Sequence, residues 1–243
     1  RGRRRGARRS ARCARLFLAL TGGAAALPAL SGGSTTPERR GDVALGGAAR
    51  LPLGPLRDLD IAGSRYREGA ERGGVAPLAM GRAGLPGGWD AQLLLAGTTL
   101  RLALHREIDP TPASTRWAWL VGAAPYVGWM TDEDDAGRGT RFGLDVPLLR
   151  SVEVSGLYEA WIGPRVGLEG VRGSFTQETA RADARALGLK AGGMVGIGVG
   201  FRRLHVLLEL TVAYERWWGT HGDVSLDRGG VVLTPAFAFR LRI

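Results

Sequence analysis

This 243-residue chain holds a single cysteine, Cys13, set among the arginines of its N-terminus. The rest is thiol-free, which excludes disulfides, a thiolate nucleophile and a cysteine-ligated metal from the bulk of the protein. Lysine is equally scarce, with Lys190 alone. After residue 40 no apolar spacing of 3.6 residues persists, so long amphipathic helices are not expected. The phosphate-loop pattern G-x-x-x-x-G-K-[ST] and the zinc-protease pattern H-E-x-x-H are both absent.

Net basicity is also missing from most of the chain. The formal charge is +10 and the sequence pI about 11.1, values that suggest a polyanion binder. Residues 1–40 alone carry ten Arg against Glu38, a charge of +9, leaving +1 for residues 41–243. No nucleic-acid partner is therefore expected. With 44% hydrophobic residues the chain has material for one ordered domain.

The N-terminus reads as an export signal. A basic block (RGRRRGARRSARCAR) precedes the apolar run Leu16–Leu30 and then the small residues SGGSTT, the three regions of a secretory signal peptide. The apolar run is too short and glycine-rich for a transmembrane helix. Cleavage is expected near Ser31 or Gly33. Gly33 stands where a lipoprotein would carry its lipidated cysteine, which excludes that anchor. The expected division is a leader over 1–33, a linker over 34–41 and a barrel domain over 42–243.

Period-2 alternation, the signature of strands, recurs through the mature chain. At the C-terminus Val231, Leu233, Pro235, Phe237, Phe239, Leu241 and Ile243 share one face; Thr234, Ala236, Ala238, Arg240 and Arg242 share the other. Segments 89–95, 99–106, 116–130, 184–201 and 204–216 repeat the pattern. One face is aliphatic with aromatic ends; the other is small, glycine-rich or charged, with both signs present. Strands of roughly 9–17 residues exceed the ~5–6 usual in soluble sheets, and about 9–11 tilted residues cross a bilayer. The apolar face is therefore expected to meet lipid and the polar face a lumen. Trp117, Trp119 and Trp129 are expected to form an aromatic girdle. Arg101, His105, Glu159, Arg165, Glu169, Lys190, Glu209 and Arg240 are expected to form a lumenal polar network. A soluble periplasmic lipocalin-like ligand-binding barrel is the alternative.

The spacing predicts strands at about 42–53, 75–85, 88–97, 98–107, 115–130, 140–150, 153–171, 184–200, 204–217 and 230–243, ten in all, with eight or twelve as alternatives. Connections 54–74, 131–139, 172–183 and 218–229 are long, whereas those on the opposite side are short. Short periplasmic turns and longer outer loops follow that rule, which places both termini in the periplasm.

The final strand VVLTPAFAFRLRI and the hairpin GRAGLPGGWDAQLLLAG resemble the small outer-membrane β-barrel proteins of diderm bacteria. That resemblance implies an all-β, antiparallel, up-and-down transmembrane barrel in the bacterial outer membrane, in contact with its lipid. It further implies that the barrel assembly machinery recognises the last strand, usually by a terminal aromatic; here Ile243 is terminal, with Phe237 and Phe239 upstream.

The expected role is structural, adhesion-like or that of a narrow pore, with no catalysis and no cofactor. A rim enzyme, protease- or acyltransferase-like, is the alternative. Ten-stranded outer-membrane proteases use rim acids and a histidine, for which Asp132, Glu133, Asp134 and Asp135, with His221 and Asp223, are candidates; an acyltransferase could use Ser225. Asp132, Asp134 and Asp135 are also candidates for a divalent cation, although their spacing matches no calcium-loop motif. His105 and His205 belong with the polar network rather than to a metal site.

Overall fold

The computed structural model describes residues 28–30, 32, 34–56, 74–111, 114–131, 137–177, 180–201, 203–221 and 224–243. Among them ten strands run in chain order: β1 (Gly41–Pro52), β2 (Gly74–Leu85), β3 (Trp89–Ala96), β4 (Thr99–Ile108), β5 (Thr115–Thr131), β6 (Gly137–Val154), β7 (Tyr158–Gln177), β8 (Ala180–Phe201), β9 (Leu204–His221) and β10 (Val224–Arg242). Each pairs antiparallel with its neighbours in sequence, and β1 closes on β10. Ile243 N–H donates to Gly41 O at 2.7 Å, so the last residue completes the closing seam. Closure leaves no unpaired edge, which a bilayer requires because it offers backbone groups no water.

Side-chain alternation survives folding with the polarity of a membrane barrel. Leu45, Leu93, Leu102, Ile162, Val166 and Leu208 are all exposed on the outer wall, while Arg101, His105, Glu159 and Arg240 are buried inside. An apolar belt this extensive far exceeds what water-soluble monomers expose. The chain is a transmembrane β-barrel of the outer-membrane type. The belt runs from Leu204 to Tyr214 on β9 and from Val231 to Leu241 on β10. Both stretches match the ~9–11 tilted residues that span hydrocarbon.

The belt ends where the outward face becomes charged: Arg172 on β7, Arg185 on β8, Arg216 on β9 and Asp227 on β10 are exposed. Arg216 pairs with Asp227 at 3.2 Å and lies 5.3 Å over Trp218. The Asp227 hydrogen bond and its charge raise the Arg216 pKa above its ordinary value. Strand lengths make the wall uneven. β3 has 8 residues and β4 has 10, whereas β7 has 20 and β8 has 22. The β7–β10 side therefore projects about 15–20 Å past the belt, given ~3.4 Å per residue and a typical tilt.

Three connections differ from expectation. Residues 172–177 and 180–183, expected in a loop, continue the β7–β8 ladder, and 218–221 and 224–229 continue β9–β10. Outside lipid a strand keeps its hydrogen bonds while losing its apolar alternation, so pattern alone ends it early. The long-loop expectation at these two connections is thereby corrected. The turn expected at 151–152 lies at Ser155-Gly156, where positive φ values of 52° and 68° suit a two-residue hairpin turn. Leu157 N–H closes it on Val154 O at 3.0 Å.

Candidate functional site: the charged lumen

The lumen is built from the inward positions of all ten strands, and glycine makes the room. His105 faces Gly122 across the β4–β5 ladder, Trp161 faces Gly196 across β7–β8, and Trp217 faces Gly188 across β8–β9. A Cβ on Gly188 would come within 2.8 Å of the Trp217 ring, and one on Gly196 would overlap the Trp161 ring. The glycine alternation of 188–200 is thus a set of sockets for bulky inward side chains on neighbouring strands. It is not a phosphate cradle.

Charge inside the lumen is paired. Near the terminal end Arg82 binds Asp90, whose second oxygen meets His105 Nδ1 at 2.9 Å. Arg240 grips Glu159, and Arg116 lies 2.8 Å from Glu107. His205 Nε2 donates to Gly156 O at 2.9 Å, tying β9 to the β6–β7 turn. Toward the far end Arg165 Nε donates to Asp145 at 3.0 Å, Lys190 binds Glu169, and Arg50 meets Glu215 at 2.7 Å. Tyr126 O–H donates to Glu169 at 2.7 Å, and Arg141 stands 3.8 Å from the same carboxylate. Each cation of this set has an anionic partner, so no single-sign ring of the kind that selects ions is formed. Within this network Arg50, Tyr126, Asp145, Arg165, Lys190 and Glu215 line a small pocket.

The terminal half is filled by the chain itself. Ala29 and Leu30 are fully buried within the barrel. Ala29 N–H donates to Glu209 Oε1 at 2.8 Å, beside Trp161 Nε1 at 3.2 Å to the other oxygen. Arg101 donates to Ala29 O at 3.2 Å and Gln92 to Leu30 O at 3.3 Å. Arg82 donates to Ser34 O, Thr35 O–H to Glu107, and Thr36 N–H to Asp90, at 3.0, 2.7 and 3.0 Å. Sequence reasoning assigned these residues to the leader and linker. Nothing in their composition marks a lumenal segment; its signal is the set of inward polar side chains that would otherwise face one another across an open bore.

Of the expected network residues, Arg101, His105, Glu159, Glu169, Glu209 and Arg240 are buried inside, while Arg165 and Lys190 pair there with Asp145 and Glu169; Asp42, Arg50, Arg82, Asp90 and Glu215 are buried beside them. Trp117, Trp119 and Trp129 are exposed on the outer wall, the first two near the terminal end and the third near the far end of β5. Arg150 lies 5.5 and 5.4 Å over Trp117 and Trp119, an arrangement suited to the lipid–water interface. Asp132, Glu133, Asp134, Asp135 and Asp223 lie outside the described residues, as does the side chain of His221. Ser225 is exposed on β10. Among the described residues no three His, Cys, Asp or Glu side chains converge in a metal-binding group.

No family model and no curated protein sequence matches the chain. Solved structures do. The attachment invasion locus protein Ail of Yersinia pestis is 10% identical with a TM-score of 0.34, the match covering 85% of this chain and 99% of that one. Neisserial surface protein A is 12% identical with a TM-score of 0.31, covering 84% and 96%. The outer membrane protease OmpT from Escherichia coli is 10% identical with a TM-score of 0.35, covering 86% and 97%. At such identities the likeness carries nothing about ligand or activity.

Proposed function

We propose that this chain is exported by its N-terminal leader and acts in the bacterial outer membrane as a non-catalytic, non-conducting barrel. Its working surface is the wall that stands above the bilayer, and its role is structural or adhesion-like. The observation that supports this is the contrast between an apolar outer belt of membrane width and an interior occupied by ion pairs and by residues 28–30, 32 and 34–36. A bore of ten strands is narrow to begin with, and these side chains and backbone take up its terminal half.

The orientation proposed with it puts both termini in the periplasm, on the side of the short turns. With both termini in the periplasm, the short turns at Gly87-Gly88 and Ser155-Gly156 lie inside the cell envelope, and the extended β7–β10 wall points outward. Its outward arginines, Arg172, Arg185 and Arg216, begin where lipid ends and suit contact with the phosphates of outer-leaflet lipid. The barrel assembly machinery is the partner that the apolar alternation of β10 would meet during insertion.

The test is the full chain expressed in a diderm host. Fractionation with the outer membrane and heat-dependent gel migration are expected. Planar bilayers containing the purified protein are expected to show no steady conductance. A freely soluble periplasmic product would overturn the membrane assignment, and a stable open channel would overturn the filled-lumen reading.

A further inference from the structure

Processing of the leader has a structural constraint that its sequence does not reveal. Cutting near Ser31 or Gly33 would remove Ala29 and Leu30, both fully buried inside the barrel. Glu209 would lose its backbone donor, and Arg101 and Gln92 would each lose a carbonyl acceptor. All three side chains are buried in the structure, and each would lose one of its hydrogen bonds.

The fit extends to side-chain volume. Gly32 has φ +70°, a conformation that favours glycine. A Cβ there would lie 3.0 Å from Arg240 Nη1, 3.1 Å from Arg82 Nη1 and 3.2 Å from Glu159 Oε2. The segment thus passes over the Arg240–Glu159 pair at a point where only a bare backbone fits without displacing it. Fully buried Ala29 and Leu30, complementary backbone hydrogen bonds and a glycine at the tightest approach are the properties of a built-in element.

We infer that the chain from Pro28 onward remains in the mature protein, with residues 28–30, 32 and 34–36 as a lumenal plug, and that the export peptidase cuts on the N-terminal side of Pro28. The sequence offers a cut there: Ala24 and Ala26 supply the small-x-small pair such peptidases read. Hydrolysis of the Ala26–Leu27 peptide bond consumes one water, leaving a carboxylate on Ala26 and a free α-amine on Leu27. The inference rests on the export reading above and deepens it, by moving the expected cut several residues upstream and giving the retained residues a task.

The experiment is intact-mass measurement and N-terminal sequencing of the full-length gene product recovered from the outer-membrane fraction. A mature chain starting at Leu27, or within a residue or two before it, is expected. A start at Gly32 or Ser34 in a membrane-inserted barrel would overturn the plug while leaving the barrel assignment intact; failure of the chain to reach the membrane would instead break the export reading. A second measurement reports occupancy directly. Cys13 falls in the removed segment, so the mature protein carries no native thiol. Leu30→Cys is expected to resist a maleimide in folded membranes and to react fully in denaturant, whereas Thr98→Cys, in the exposed β3–β4 turn, reacts in both. Labelling of Leu30→Cys in the folded state at the Thr98→Cys rate would show an empty lumen and overturn the proposal.

Discussion

Replacing Glu159 by Gln tests whether the lumen behaves as a protein interior or as a water-filled bore. The carboxylate is 3% exposed and its partner Arg240 1% exposed. Arg240 reaches it with both terminal nitrogens, one contact at 3.5 Å and one shorter. Gln keeps the shape and one acceptor but removes the charge, leaving the Arg240 guanidinium without its counter-ion. Breaking a buried pair from one side costs about 3–5 kcal/mol, because the remaining charge cannot regain its hydration. With a urea dependence of roughly 2 kcal/mol per molar, the unfolding midpoint is expected to fall by about 2 M. Tryptophan fluorescence and heat-dependent gel migration in lipid vesicles measure it. The double variant Glu159→Gln with Arg240→Met is expected to recover most of the loss, since no uncompensated charge remains. A single variant within about 0.5 kcal/mol of the parent would mean that water screens the pair, and the case for a filled lumen would fail with it.

Other substitutions address the wall. Leu102→Arg places a cation on the lipid-facing side of β4, where Leu102 is 49% exposed; a loss of about 2–4 kcal/mol is expected if that position lies near the bilayer midplane, read from folding yields in vesicles. Gly196→Ala drives a methyl into Trp161 and should cost about 1–3 kcal/mol by overpacking. A shift of indole emission should accompany it, and Trp161→Leu in the same chain should relieve it. Arg150→Ala removes the cation lying over Trp117 and Trp119; about 0.5–1 kcal/mol per ring is expected, measured by urea titration in the same vesicles.

Much of the wall was legible because a membrane barrel writes its two environments into alternate residues. Parity alone places Arg101, Glu209 and Arg240 inward and Leu102, Leu208 and Leu241 outward. The same test, applied to Asp90, Arg82 and Asp145, would have added them to the network. Legibility fails where the solvent stops differing between the two faces. Beyond Arg172 and Arg185 the outward positions change from aliphatic to polar, as at Ser174 and Asp183, so the apolar-out pattern ends although the hydrogen-bonded ladder runs on to Gln177 and Ala180. It fails again at residues 28–30, 32 and 34–36 for a different reason. Those residues form no periodic element, and their burial depends on side chains at 82, 90, 101 and 209, far away in sequence.

The two failures bear on one question, which is where such a barrel can meet anything. Inside, the cations Arg82, Arg165, Lys190 and Arg240 are matched by Asp90, Asp145, Glu169 and Glu159, so the bore presents paired charge rather than a field of one sign. Paired charge rigidifies a wall but neither concentrates an ion nor steers a solute. Across the belt the outward face offers aliphatic contact that lipid satisfies without specificity. What remains is the projecting β7–β10 sheet, whose outward face carries Arg172, Arg185 and the Arg216–Asp227 pair and whose strands are held upright by the same continuous ladders that cross the membrane. A rigid, raised, hydrogen-bonded sheet loses little conformational entropy on contact. The part of the molecule that the alternation pattern could not reach is thus the part best suited to recognition.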